Sequence, residues 1–326
     1  MSARTLANRL LLALASLKVT LAGLLLLGLA TVAVYKLDHS ATPWLAVPLL
    51  LLALNLSAAV ATNRVFRRQK ALLLFHLALI ALVLLAAAGR LSYLKGNAEV
   101  TEGAAFETLV QREAGPLHGG RLDALRFVNE GFDIRYLPGP MMDRNINLMR
   151  WQDERGRWQA GQIENNRPLI LHGYRIYPTS NKGFALLFMW QPAGGQPMLA
   201  AVHLPSYPAN ATAQALAWRP AGSPDDIWVM LEVDESLIPA DRPSRFRLPD
   251  QQNIVLRYRD ARLELQPGER VELAGGVLEY REMRTWMGYR LYYDWTLPWM
   301  LAACALAVIS LAWHFWGKFS ARPWDN

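Results

Sequence analysis

The chain has 326 residues, 52% of them hydrophobic, and a formal charge of +7. The apolar residues gather towards both ends and basic residues flank them. The positive balance therefore reads as membrane orientation and not as a nucleic-acid footprint. The one cysteine, Cys304, excludes an internal disulfide or a dithiol redox pair within this chain.

Arg4 and Arg9 precede an apolar run over residues 10–34. The run is longer than the apolar core of a cleaved signal peptide, and further spans follow, so it predicts an anchor. The first span is placed at 10–35, with its continuous apolar part starting at Val19. Lys18 can snorkel to the near interface, or the first turns lie along the surface. The second span covers 44–61, after Pro43, with Pro48 in its first turns where a lost donor matters least. Asn55 within it suits helix–helix adhesion. The third span, 71–89, carries His76, and an ionisable group inside lipid is costly enough to mark a functional candidate. The fourth, 297–316, opens at Pro298 and is bounded by Trp295, Trp299, Trp313 and Trp316, an aromatic belt.

Arg64, Arg67, Arg68 and Lys70 lie between spans two and three, and Lys318 and Arg322 follow span four. With Arg4 and Arg9 they fall on one side, which the positive-inside rule assigns to the cytoplasm. The predicted organisation is a three-span region at 1–90 with an inner loop at 62–70. An extracytoplasmic domain follows at 91–296, then a fourth helix at 297–317 and a cytoplasmic tail at 318–326. Both termini are then cytoplasmic, in a bacterial inner membrane with the large domain periplasmic.

Apolar residues alternate in the middle segment, as at Ile227, Val229, Leu231 and Val233, or Ile254, Leu256 and Tyr258. Period two predicts half-buried strands. Others are expected at 121–128, 132–137, 147–151, 169–177, 184–190 and 277–283. Turns are expected at Asn129 to Gly131, Pro138-Gly139, Gln266 to Gly268 and Gly275-Gly276. The fold class is thus four transmembrane helices plus a mostly antiparallel all-β domain. Residues 205–226 interrupt the pattern as a loop or small insertion, with 212–218 a candidate short helix.

Motifs for metalloproteases, dinucleotide or nucleotide binding, serine hydrolases and covalent haem attachment (CxxCH) are all missing from the sequence. No catalytic residue is assigned. His76 has two readings: a hydrogen bond to Asn55 or to a backbone carbonyl, or an axial ligand to haem iron among apolar neighbours. His39 is an interface residue or part of an outer haem or substrate site. His314 reads as a helix-end residue, and His118, His172 and His203 as structural. The aromatic run from Trp286 through Tyr289 and Tyr292 to Trp295 and Trp299 anchors the interface or forms a platform for a planar ligand.

Three stretches carry a family resemblance. Leu14, Ala15, Ser16, Leu17 and Lys18 open the first span, and Phe75, His76 and Leu77 open the third. In the middle domain Asn166, Pro168, Leu169, Gly173, Tyr174 and Tyr177 stand at the places of an N-x-P-L…G-Y-x-F-Y-Q segment. In this order and topology they resemble the ResB-like (CcsB) membrane proteins of cytochrome c maturation. The chain departs from that pattern at Tyr35 to His39, where a Gly-Thr pair is usual, and at Pro178, where the family has Gln.

The resemblance implies a haem-handling subunit that works with a CcsA (ResC)-type membrane partner. The pair moves or holds haem b and presents apocytochrome c at the outer face, where thioethers form. The chain itself would be non-catalytic or would share a synthase site. His76 carries over as an inner ligand to haem iron, with His39 a further cofactor candidate. Asn166, Pro168, Tyr174, Tyr177, Trp286, Tyr289 and Trp295 are the candidate partner or substrate surface. A non-catalytic assembly or accessory subunit of a respiratory complex is the alternative.

Overall fold

The computed structural model describes residues 3–36 and 39–320; the side chains of residues 3–5, 7 and 39–41 lie outside that description. The expectations for Arg4, Arg322 and the His39 side chain therefore fall outside the described residues. The chain forms two compact units. One comprises Met1–Lys95, Arg112–Gly120 and Tyr292–Asn326; the other comprises Gly96–Gln111 and Arg121–Leu291.

The first unit is helical: α1 (Ala3–Leu14), α2 (Leu17–Lys36), a 3-10 segment (His39–Leu45), α3 (Ala46–Thr62), α4 (Arg64–Arg68), α5 (Lys70–Ser92) and α6 (Leu297–Phe319). Among the described residues four stretches are long and apolar enough to cross a membrane: Leu17–Lys36, Thr42–Thr62, Lys70–Ser92 and Leu297–Phe319. The first apolar run is therefore two helices and not one. The break falls at Ala15 and Ser16, where the Ser16 hydroxyl accepts a hydrogen bond from the Lys18 N–H at 3.2 Å. Serine competes for backbone groups and favours helix starts. Pro43 lies inside the 3-10 segment, and α3 begins after it.

α2 and α3 pack closely at Gly23, where an added Cβ would stand 2.7 Å from the Leu52 side chain. Asn55, 3% exposed, is the polar clamp of this bundle. Its Oδ1 accepts from the Thr20 hydroxyl at 2.7 Å. Its Nδ2 donates to the Leu14 carbonyl at 2.6 Å, freed where α1 ends, and to the Ser16 carbonyl at 3.2 Å, which also accepts from the N–H groups of Val19 and Thr20 at the start of α2. At the mouth of a membrane span a freed carbonyl needs a protein partner, and here a side chain from another helix supplies it.

The second unit is built almost wholly of strands, and the short strand Gln111–Ala114 falls, but for Gln111, in the first unit. In chain order they are β1 (Leu94–Thr101), β2 (Gln111–Ala114), β3 (Phe127–Tyr136), β4 (Met142–Gln152), β5 (Trp158–Ile163), β6 (Leu169–Leu171), β7 (Tyr174–Pro192) and β8 (Met198–His203). There follow β9 (Ala215–Trp218), β10 (Ile227–Glu232), β11 (Ser244–Arg245), β12 (Asn253–Tyr258), β13 (Ala261–Leu265), β14 (Arg270–Leu273) and β15 (Gly276–Tyr293). A seven-stranded sheet runs β2-β1-β15-β7-β6, with β14 on β15 and β8 on β7. Two four-stranded sheets run β13-β12-β10-β9 and β11-β3-β4-β5. Every strand pairing whose register is resolved is antiparallel.

β7 explains the core. Its segment from Phe184 to Phe188 is apolar at every position, and each of those residues is at most 4% exposed. A strand covered on both faces needs no polar alternation. β10 shows the other pattern: Ile227, Val229 and Leu231 are buried and the residues between are half-buried. One expected turn and one expected short helix take other forms. Asn129 to Gly131 is a bulge inside β3. There Gly131 adopts φ 112°, and the Asn129 carboxamide accepts from the Gly131 N–H at 3.0 Å. Residues 212–218 form no helix; Ala215–Trp218 is strand β9, paired to β10.

The core also holds a charge. Lys182 is 2% exposed, and no carboxylate pairs with it among the described residues. Its ammonium donates to the Ser180 carbonyl at 3.1 Å and lies 5.1 Å from the centre of the Tyr136 ring. Burial pushes its pKa down from the usual 10.5 to about 8. The folded state therefore favours the neutral amine more than the unfolded chain does, while below about pH 8 the buried group still carries its charge. The stability this group contributes is complete above pH 10.5 and is lost as the pH falls towards 8, a swing on the order of 3 kcal/mol. Lys182→Met is expected to raise the thermal midpoint at pH 7.5. Its advantage over wild type should shrink as the pH rises from 8 to 10.5, measured by thermal unfolding in detergent.

Candidate functional site

α5 is the helix about which the helical unit is arranged. It packs against α3, α6, α4 and the 3-10 segment. His76 lies in its second turn and is half-buried. Its Nδ1 stands 2.8 Å from the carbonyl oxygen of Leu72, one turn earlier on the same helix. A carbonyl only accepts, so this bond requires the proton on Nδ1 and leaves the lone pair on Nε2. Nε2 has no hydrogen-bond partner among the described residues. Asn55 is fully engaged at the α1–α3 junction, so of the two hydrogen bonds considered for His76 the backbone carbonyl is the one made.

Two aromatic rings fix the imidazole. Phe66 of α4 lies with its ring centre 4.6 Å away, tilted by 60°, and Phe75 stands edge-on at 5.3 Å. α4 is held by its own cap: the Asn63 carboxamide accepts from the Val65 N–H at 3.0 Å. It carries Arg64, Arg67 and Arg68 around Phe66. The histidine thus has an apolar wall and a cluster of guanidinium groups on the adjoining short helix. Further along α5, Ala81, Leu85 and Ala88 face Trp295, Trp299 and Ala303 across an apolar groove of about 590 Å³. The alanines leave the space and the indoles rim it.

The far end of α5 has a polar collar. The Ser92 hydroxyl accepts from the Trp295 indole N–H at 2.8 Å, and the Ser92 carbonyl lies 3.1 Å from Nδ1 of His118. Tyr93 donates to Glu113 at 2.5 Å, and Thr42 donates to the same carboxylate oxygen at 3.3 Å. Burial, helped by the bond to Glu113, pushes the Tyr93 pKa up to about 12. Gly115 lies so close to α5 that a Cβ would meet the Leu91 carbonyl at 2.2 Å. Nothing local in residues 112–120 announces this role, because their partners lie 20 to 71 residues away in sequence.

The remaining site expectations separate. Tyr174, Trp286 and Tyr289 are 0%, 3% and 0% exposed and present no surface, which corrects their placement on a partner-binding face. The reason is the doubly covered sheet centre. Trp286 donates to the Leu204 carbonyl at 3.1 Å and stacks on His203 at 5.5 Å. Tyr289 donates to Asn147 at 3.4 Å and stands edge-on to Phe127. Asn166 is exposed, and Pro168 and Tyr177 are half-buried. Trp295, 45% exposed, belongs to the helical unit with His76.

The stretch from Asn166 to Tyr177 turns out to be a hairpin. β6 meets β7 through His172 and Gly173, with φ 49° and 81°. Two successive positive φ values mark the tight turn whose twist suits a hairpin, and glycine fills the second at little cost. His203 bridges strands: its Nε2 is 2.8 Å from the Thr101 hydroxyl and its Nδ1 3.2 Å from Glu99. Among the described residues no three metal-ligating side chains cluster.

Fold and sequence together define a multi-pass membrane protein with a large antiparallel β unit. Residues 55–215 match the model of the ResB-like family, the family its motifs resemble. The match spans α5 with His76 and the β6–β7 hairpin. It points to a role related to cytochrome c biogenesis. No curated protein matches the chain.

Asn55 and His76 are separate polar sites. Asn55→Ala should therefore destabilise the helical unit by about 1–2 kcal/mol, since it leaves the Leu14 carbonyl and the Thr20 hydroxyl without this partner. Thermal unfolding in detergent should show this loss, with any ligand spectrum that depends on His76 unchanged in shape.

Proposed function

We propose that this chain is a haem-handling subunit of cytochrome c maturation, in a bacterial inner membrane with a CcsA-type partner. The observation that carries the reading is His76. It is a lipid-embedded imidazole whose Nδ1 bond to Leu72 leaves Nε2 as the ligating nitrogen, within a ResB-like match. A neutral imidazole oriented by a carbonyl is the usual form of a histidine ligand.

The residues present fit a haem b at this place. His76 would supply one nitrogen to hold the iron, and the partner would supply a further ligand. Phe66 and Phe75 would pack against an apolar macrocycle. Arg64, Arg67 and Arg68, on the helix that carries Phe66, have the charge and fork geometry to pair with its propionates. When bound, haem supplies vinyl groups to which the two thiols of a CxxCH segment add as thioethers. The chain's own residues hold and orient; none of them is assigned a bond-making step.

Orientation follows from the basic loop. Arg64 to Lys70 lie on the cytoplasmic side, and the β unit then works at the outer face, where it receives apocytochrome or braces the partner. The exposed Asn166 and half-buried Tyr177 remain candidates for that surface, and His39 for an outer haem site.

The test is an absorption spectrum of the purified protein, alone and co-expressed with a CcsA-type partner. Wild type should show a Soret band, and His76→Ala should lose most of it while its thermal unfolding stays near that of wild type. A folded His76→Ala protein with unchanged haem content would overturn the ligand role. Absence of haem from both preparations would favour a cofactor-free assembly subunit.

A further inference from the structure

β8 is an edge strand. It pairs with β7 on one side only, in the register Val202 to Leu186, Ala200 to Phe188 and Met198 to Trp190. The Leu204 N–H donates to the Phe184 carbonyl at 2.9 Å, which sets the phase of the ladder. Hydrogen-bonding direction alternates along an antiparallel strand. Residues 198, 200 and 202 therefore turn their backbone groups to β7, and Leu199, Ala201 and His203 turn theirs outward. Those outward N–H and C=O groups have no hydrogen-bond partner among the described residues.

An open ladder of this kind is a liability unless it is defended or used. Strands β13 and β14 carry charges of both signs, Arg262 with Glu264 and Arg270 with Glu272. β8, of sequence Met-Leu-Ala-Ala-Val-His, has no charged residue, no proline and no register shift. Its apolar side chains also face solvent, with Leu199 60% and Met198 41% exposed.

We propose that β8 is a docking edge for an extended segment of an unfolded polypeptide, which adds to the seven-stranded sheet as a further strand. The open N–H and C=O groups of Leu199, Ala201 and His203 call for a backbone in extended form. Leu199 and Met198 select uncharged, apolar side chains at alternate positions. The proposal rests on the reading that the β unit handles apocytochrome, and it names the place and the mode of contact.

The test uses the full-length protein in nanodiscs and a fluorescent synthetic peptide with a CxxCH segment and alternating apolar residues. Leu199→Pro and Ala201→Pro each remove one outward N–H and leave the bonds to β7 intact, a position where an edge strand tolerates proline. Each should weaken peptide binding by roughly tenfold or more, with thermal unfolding close to wild type. Peptides N-methylated at every second residue should lose binding in one phase and keep it in the other. Wild-type binding that both proline variants retain, or no binding by wild type, would overturn the proposal. Self-association of wild type that Leu199→Pro abolishes, without peptide binding, would assign the edge to a second copy and overturn it as well. The haem reading is tested separately: a proline-sensitive peptide site in a protein without a His76-dependent haem band would leave this edge standing and remove that reading.

Discussion

A histidine inside hydrocarbon has to settle two ring nitrogens where water cannot help. In this protein one nitrogen is settled by the helix that carries the residue, through the Leu72 carbonyl 2.8 Å away. That bond fixes the tautomer, and the tautomer fixes which nitrogen can act. The rest of the helical unit is consistent with it. Asn55 spends its polar groups at the α1–α2 break, so it does not compete for His76. Phe66 reaches the ring because Asn63 caps the short helix α4. α5 continues past the histidine along an apolar groove and ends in a polar collar at Ser92 and Tyr93.

The β unit obeys a different constraint. Its two longest strands, β7 and β15, are neighbours at the centre of one sheet and are covered on both faces over much of their length. Aromatic residues there are structural. Trp286 and Tyr289 each give their polar atom to an internal acceptor, which is what burial of an indole or a phenol requires. Lys182 is the exception, a cation held by one carbonyl and a tyrosine face. Isolated burial of this kind lowers stability and sets a pH dependence; it does not strengthen the core.

The membrane spans were legible because length and hydropathy dominate that signal. The break at Ser16 was legible only in part: Lys18 and the continuous apolar stretch from Val19 offered a start along the surface, but the end of one helix at Leu14 depends on Asn55, far along the chain. Strands such as β10 could be read from alternation. β1, with Lys95, Gly96, Asn97 and Glu99, could not, because its identity as a strand comes from β15, far along the chain. The turn expected at Asn129 to Gly131 failed for a physical reason: the same residues that make a turn also make a bulge, and only the partner strand decides. His76 was visible as an ionisable residue in an apolar run. Its tautomer was not, because that depends on a distance. The aromatic run misled because composition cannot tell a binding platform from a doubly covered strand.

The ligand role proposed for Nε2 of His76 can be probed at the nitrogen itself. The most direct measurement is chemical rescue of His76→Gly, which leaves a gap the size of the ring. Exogenous imidazole should restore the haem absorption lost in the variant, with a low-spin spectrum like that of wild type. Haem content that ignores both the gap and the added imidazole would contradict that role and return His76 to helix packing.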